Sequence, residues 1–164
     1  MNGRIVGLAL LGCALLAGGG LYYLEQFHWY QVRQAPDDTV RLTAPDGTEF
    51  EIDTIGLSIA EGASSPLKFR ACFETGADPG DLSERAAPYA GPEPTVAPRV
   101  FPCFDADALA AALAEGDAAA FLGQANVTYG IDRVIAVTGT GQGYAWHQIN
   151  PCGARVFDGD PPPE

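Results

Sequence analysis

Two patterns of hydrophobic positions divide this chain. Over residues 5–24 (IVGLALLGCALLAGGGLYYL) twenty positions pass without a charge or a proline. A helix rising about 1.5 Å per residue covers roughly 30 Å in that length, the hydrocarbon thickness of a bilayer. Beyond it the pattern changes to short alternations broken by turns, the pattern of a small sheet-containing domain.

Residues 39–44 and 48–52 alternate in polarity on either side of Pro45-Asp46-Gly47. Asp-Gly between two such runs predicts a hairpin, because both residues tolerate positive φ. Glu49, Glu51 and Asp53 then share one solvated face, with Phe50 and Ile52 on the other. Residues 55–66 read as turn-rich. Residues 67–73 (LKFRACF) alternate cleanly and predict a half-buried strand with Leu67, Phe69, Ala71 and Phe73 inward. Residues 74–98 carry five prolines and three glycines without periodicity, which reads as a long loop of the kind that marks a binding surface or disorder.

A short apolar run at 100–104 leads to Asp105 and Asp107, either of which caps a helix over 108–115 ended by Gly116. Residues 117–124 read as a further helical turn or two, with Phe121 and Leu122 inward. Residues 127–137 contain IDRVIAV, a central strand, which a glycine-rich turn at 139–143 returns as a last strand over 144–149. Asn150-Pro151-Cys152-Gly153 reads as a turn, and 158–164 as a frayed tail. The expected fold is α+β: an N-terminal transmembrane helix, then a small antiparallel sheet of four to six strands with one helical segment packed on it. The expected division is a cytoplasmic N-terminus (1–4), the span (5–24), a juxtamembrane connector (25–38), a domain over 39–157 and the tail.

The span is longer than the 7–15 apolar residues of a cleaved signal, and Tyr22, Tyr23, Phe27, Trp29 and Tyr30 follow it like an interfacial belt. Gly18-Gly19-Gly20 leaves an exit for a peptidase. Leu10-Leu11-Gly12-Cys13 distantly resembles a lipobox, but the chain stays apolar for eleven residues past the cysteine. Ala14 with Gly18, and Gly3 with Gly7, form small-xxx-small pairs of the sort that let helices approach, although small residues are common in such spans. Arg4 precedes the span and Glu25 follows it, which places the N-terminus in the cytoplasm.

The net charge of −12, with Lys68 the single lysine, argues against nucleic acid as a partner, since phosphate contacts need basic residues. The bilayer, met through the N-terminal helix, and an envelope protein are the expected partners, and no cofactor is called for. Of the four cysteines, Cys13 lies in the span, while Cys72, Cys103 and Cys152 lie far apart beyond it. In an oxidising compartment two of these three pair, Cys72 with Cys103 or Cys103 with Cys152, and one remains. The rival reading is a metal or thiol-redox site built from those cysteines and His147, the single histidine away from the membrane, since thiolate and imidazole suit copper or zinc. Trp146 and His147 otherwise pack at a sheet edge, and His28 sits at the interface. Asp132 and Arg133 read as a surface pair, and Arg70 with Arg133 as a conceivable anion site. Asn126-Val127-Thr128 matches a glycosylation sequon. The glycines at 139, 141 and 143 lack the helix that a phosphate-binding loop requires. GxSxG, HExxH and CxxCH are all missing, so the reading leans away from an enzyme.

The runs LKFRACF (67–73), FPCFDADALAAALAEG (101–116), YGIDRVIAV (129–137) and GYAWHQINPCG (143–153), with the opening MNGRIVGLALL, resemble an uncharacterised family of small membrane-anchored proteins in Rhodobacter-type alphaproteobacteria. The resemblance implies a membrane-anchored bacterial protein of unknown function, and it supports the expected placement in the inner membrane with the domain in the periplasm. It carries over no catalytic residue. Some members bear a histidine-kinase label, which these residues do not support: neither a phosphoacceptor-histidine helix pair nor the boxes of an ATP-binding domain are present.

Overall fold

The computed structural model describes residues 2–35 and 39–161. Helix α1 (Gly3–Tyr23) continues through a π-helical turn (Leu24–His28). Together they make a helix of 26 residues with a mean hydropathy of 2.0 and no buried residue in its apolar window. By length and composition it suits a membrane anchor or a signal sequence.

The remaining elements are β1 (Gln31–Gln34), β2 (Val40–Thr43), β3 (Glu49–Ile52), β4 (Ile55–Glu61), β5 (Phe69–Glu74), α2 (Pro79–Arg85), α3 (Ala106–Glu115), β6 (Ala118–Thr128), β7 (Ile131–Thr138), β8 (Gln142–Ile149) and α4 (Pro151–Phe157). Six strands form one sheet in the order β1-β4-β5-β8-β7-β6, and β2 pairs with β3 in a separate hairpin. Every neighbouring pair is antiparallel. The α+β class holds, with more helices than the single one expected.

The register sorts the sheet into two faces. On one, Leu57, Ile59, Ala71, Phe73, Ile135, Val137 and Ala145 pack against Val40, Leu42 and Ile52 of the hairpin and Leu82 and Ala86 of α2 and its end. On the other, Ala60, Val134, Ala136 and Trp146 meet Phe101, Phe104, Ala106 and Leu109 of the α3 layer. Trp146, Val134, Ala136 and Val137 are fully buried, so β7 and β8 are covered on both faces.

Local chemistry explains the elements that the pattern revealed. The Asp105 side chain accepts from Asp107 and Ala108 N–H to start α3, and Gly116, at φ 83°, ends it in the left-handed conformation. In the hairpin turn Gly47 has φ 84° and Asp46 accepts from Thr48.

Four expectations are corrected. Residues 55–61 are a strand rather than turns: Leu57 and Ile59 are buried, and the irregular register between Ile55 and Ser58 holds Gly56 at φ 67°. Residues 117–124 are not helical. Ala118-Ala119-Ala120 favours helix, but β7 is buried and needs a pairing partner on its outer side, and β6 supplies it from Ala118 opposite Thr138 onward. Asn150 does not open a simple turn; it caps α4, its side chain accepting from Gly153 N–H at 2.9 Å. The connector is not all linker either, since its residues 31–34 form β1 against β4, while 36–38 lie outside the described residues. The tail expected over 158–164 likewise lies outside them from 162 onward.

The long loop over 74–98 is built rather than free. It contains α2, capped by Asp78. Tyr89 N–H donates to Ala120 O and Leu122 N–H to Ala87 O, covering part of the outer edge of β6. Gln148 holds Gly91 O and Glu93 N–H. Buried Arg70 donates to the carbonyls of Thr95, Val96, Leu67 and Phe69 at 2.6–3.2 Å, while burial pushes its pKa down. Arg70→Met is therefore expected to cost about 2 kcal/mol in a denaturant melt and to open 91–99 to proteolysis. An unchanged midpoint and cleavage rate would show that these carbonyls do not depend on the guanidinium.

Candidate functional site

The residues that the sequence nominates for chemistry go to separate places. Cys72, on β5, forms a disulfide with Cys103, just before α3, with Cα atoms 6.4 Å apart. The pairing that the sequence left open is thus Cys72 with Cys103, and the bridge ties the α3 layer to an interior strand. Cys152 is a free thiol on α4, 3.2 Å from the Tyr129 hydroxyl. His147 lies on β8, an interior strand, and is 7% exposed, so it and Trp146 pack within the sheet and not at its edge. Among the described residues no group of three or more His, Cys, Asp or Glu side chains is placed to hold a metal ion.

Asp132 and Arg133 are neighbours on a strand and so point to opposite faces. Asp132 is a buried acceptor and not half of a surface pair: its carboxylate takes Asn126 N–H, Asn150 Nδ2 and the Tyr89 hydroxyl. Asn126 of the sequon accepts from Gly130 N–H and Asn150 Nδ2, so its amide serves the fold. Arg70 pairs in register with Trp146 and Arg133 with His147, which puts the two arginines on opposite faces and removes the conceivable anion site built from both.

What surrounds Arg133 instead is a stack. His147 lies flat on Phe69 with ring centroids 4.4 Å apart, and the Arg133 guanidinium sits over the same ring at 4.5 Å. His147 Nδ1 is 2.6 Å from Pro66 O, an atom that can only accept, so Nδ1 carries the proton. Nε2 is then the acceptor for Arg133 Nε–H at 3.1 Å, and the ring is neutral. Burial, followed by the Arg133 and Arg70 charges, lowers the His147 pKa to about 4 despite its bond to Pro66.

A pKa lowered in the folded state favours folding above the unfolded value of about 6.5, a gain that is lost as pH falls towards 4. Stability is expected to drop over that window. His147→Gln, which keeps an acceptor for Arg133, should flatten this part of the pH–stability curve; an unchanged slope would assign the loss to the carboxylates.

Arg133 lines a cleft of about 460 Å³ between the β2–β3 hairpin and the main sheet. Arg33, Arg41, Glu49, Glu61 and Phe69 also line it, with Leu57, Ile59, Ala71, Ile135 and Ala145 as an apolar floor. Arg33 pairs with Glu61 at 3.6 Å and Arg41 with Glu51 at 3.0 Å. Sequence reasoning missed this group because Phe69, Arg133 and His147 meet only through the register of β5, β8 and β7, and Arg41 reaches the cleft only from the separate hairpin. A signal did exist: Arg133 shares one face of β7 with Ile135 and Val137, and His147 shares one face of β8 with Ala145.

Just before β5, at Lys68, the expected interfacial aromatics meet the domain. Lys68 Nζ is 3.2 Å from Glu25 Oε2 and lies over the rings of Trp29 at 5.0 Å and Tyr30 at 5.5 Å. Arg99 N–H donates to Gln26 Oε1 at 3.1 Å. Tyr23 and Phe27 stack on each other in the turn.

Residues 40–164 match the model of a family of unknown function, DUF6446. The chain belongs to that family. The DUF6446 segment begins at β2 and takes in the hairpin, the cleft, the disulfide and α4, leaving out the N-terminal helix and β1. No curated protein and no solved structure matches the chain.

Proposed function

We propose that this is a non-enzymatic, single-pass protein of a bacterial inner membrane, with its N-terminus in the cytoplasm and its acidic DUF6446 domain in the periplasm. The domain serves there as an interaction or assembly module for another envelope protein. The observation that carries the reading is the seat of the domain on the end of the helix. Lys68 engages Glu25, Trp29 and Tyr30 together, residues that belong at head-group depth when the helix spans a bilayer. A domain tethered by a loose linker samples many orientations; one seated in this way presents the same surface to neighbours in the membrane. The disulfide fits an oxidising compartment.

The test is light scattering on full-length protein extracted in a mild neutral detergent. The reading expects a protein mass above the 17.2 kDa monomer, with a partner co-eluting in fixed ratio that is lost in Lys68→Ala. A monomer without a partner would contradict it.

A further inference from the structure

We propose that the cleft between the hairpin and the main sheet binds a small organic oxyanion, a carboxylate or phosphate group on a short apolar body, with the Arg133 guanidinium as its anchor. This inference does not depend on the membrane reading.

Arg133 is held differently from Arg70. Arg70, the buried arginine of the sheet, spends its guanidinium on four backbone carbonyls, whereas Arg133 is half-buried. Arg133 spends only Nε, on a neutral imidazole. Among the described residues the rest of its fork carries no further hydrogen bond and no carboxylate within salt-bridge distance; burial pushes its pKa down, and the charge of nearby Glu61 offsets part of that. Phe69 fixes the plane of the guanidinium, and His147 fixes its rotation. An arginine positioned by uncharged groups keeps its charge and its parallel N–H pair for a ligand, and that planar pair matches a carboxylate or phosphate two atoms at a time.

The surroundings complete a site. Arg33 and Arg41 stand at the rim, each already beside a glutamate, so they add donors with little net charge. The chain carries a net charge of −12, while the lining of this cleft holds three arginines and two glutamates, so an anion is repelled less here than the overall charge implies. The floor, including Leu57, Ile59 and Ile135, is apolar and suits a hydrocarbon or aryl body rather than a bare ion. The volume of about 460 Å³ lies within the usual range for small-ligand sites.

Isothermal titration of the full chain in neutral detergent with benzoate, phenyl phosphate and inorganic phosphate tests the proposal. One saturable site is expected, for benzoate if the source is a carboxylate and for phenyl phosphate if it is a phosphate ester. Inorganic phosphate should bind about tenfold more weakly than the better organic probe, for want of contact with the floor. Arg133→Gln should weaken binding about tenfold or more. Because Arg133→Gln risks unfolding, the exposed rim variant Arg41→Gln serves as a second probe, with an expected weakening of about threefold at an unchanged melting midpoint. Binding of either organic probe with this arginine dependence supports the site. No saturable binding up to about 10 mM, or binding indifferent to both substitutions, overturns it.

Discussion

Asp132→Ala is expected to destabilise the domain by about 4 kcal/mol, because it strands one buried and two part-buried donors at once. The Asp132 side chain binds the Asn126 N–H at 2.8 Å, Asn150 Nδ2 at 2.9 Å and the Tyr89 hydroxyl at 3.3 Å. Each partner belongs to a different piece of structure. Asn126, at φ 48°, sits where the β6–β7 register is irregular. Asn150 caps α4 through Gly153 N–H. Tyr89 ends the segment that covers the edge of β6, and burial together with the Asp132 charge raises its pKa to about 12. Removing the carboxylate therefore leaves an amide N–H, a side-chain amide and a phenol short of an acceptor. It also loosens the cap of α4, whose Gly153 packs so closely on Gly130 that any side chain there would collide with the Gly130 carbonyl. Asp132→Asn keeps one acceptor and should lose about half as much. Urea melts followed by circular dichroism measure both, and a loss below about 1 kcal/mol for the alanine variant would mean that these groups find other partners.

The second large effect is loss of the disulfide. Cys72 and Cys103 are separated by 31 positions, and opening a loop of that size costs roughly 3–4 kcal/mol in the chain-entropy account. The segment it closes holds α2 and the strap pinned by Arg70 and Gln148, so the unfolded chain regains much freedom when the bridge is cut. Reduction of the wild type and the double variant Cys72→Ala, Cys103→Ala should lower the melting midpoint alike, and reduction should leave the double variant unmoved. A wild type indifferent to reduction would show that the bridge adds nothing to stability.

These two clusters also mark the limit of what the chain discloses in one dimension. The hairpin at Asp46-Gly47, the strand over 67–73, the helix from Asp105 to Gly116 and the final hairpin through Gly141 were legible because each is specified by its own residues: a turn, a cap, an alternation. β6 was not, because three successive alanines prefer helix and only the needs of β7 reverse that preference. β4 was hidden by Gly56 and Ser58 in the middle of its alternation. The disulfide was foreseen as one of two pairings, since spacing alone does not order three cysteines. Arg133, Phe69 and His147 were each visible, but their stack exists only once β5, β8 and β7 are laid side by side in register. Lys68 read as an ordinary strand residue until the fold brought it 3.2 Å from Glu25.

The account rests on an exported, disulfide-bonded domain that stays attached to its N-terminal helix. The intact mass of protein extracted from the membrane and alkylated under denaturing conditions, with and without reduction, tests all of this in one measurement. The prediction is a full-length chain of 17.2 kDa that takes alkyl groups on Cys13 and Cys152 alone before reduction, and on Cys72 and Cys103 as well after it. A mass short by an N-terminal leader, or full alkylation without reduction, would contradict it.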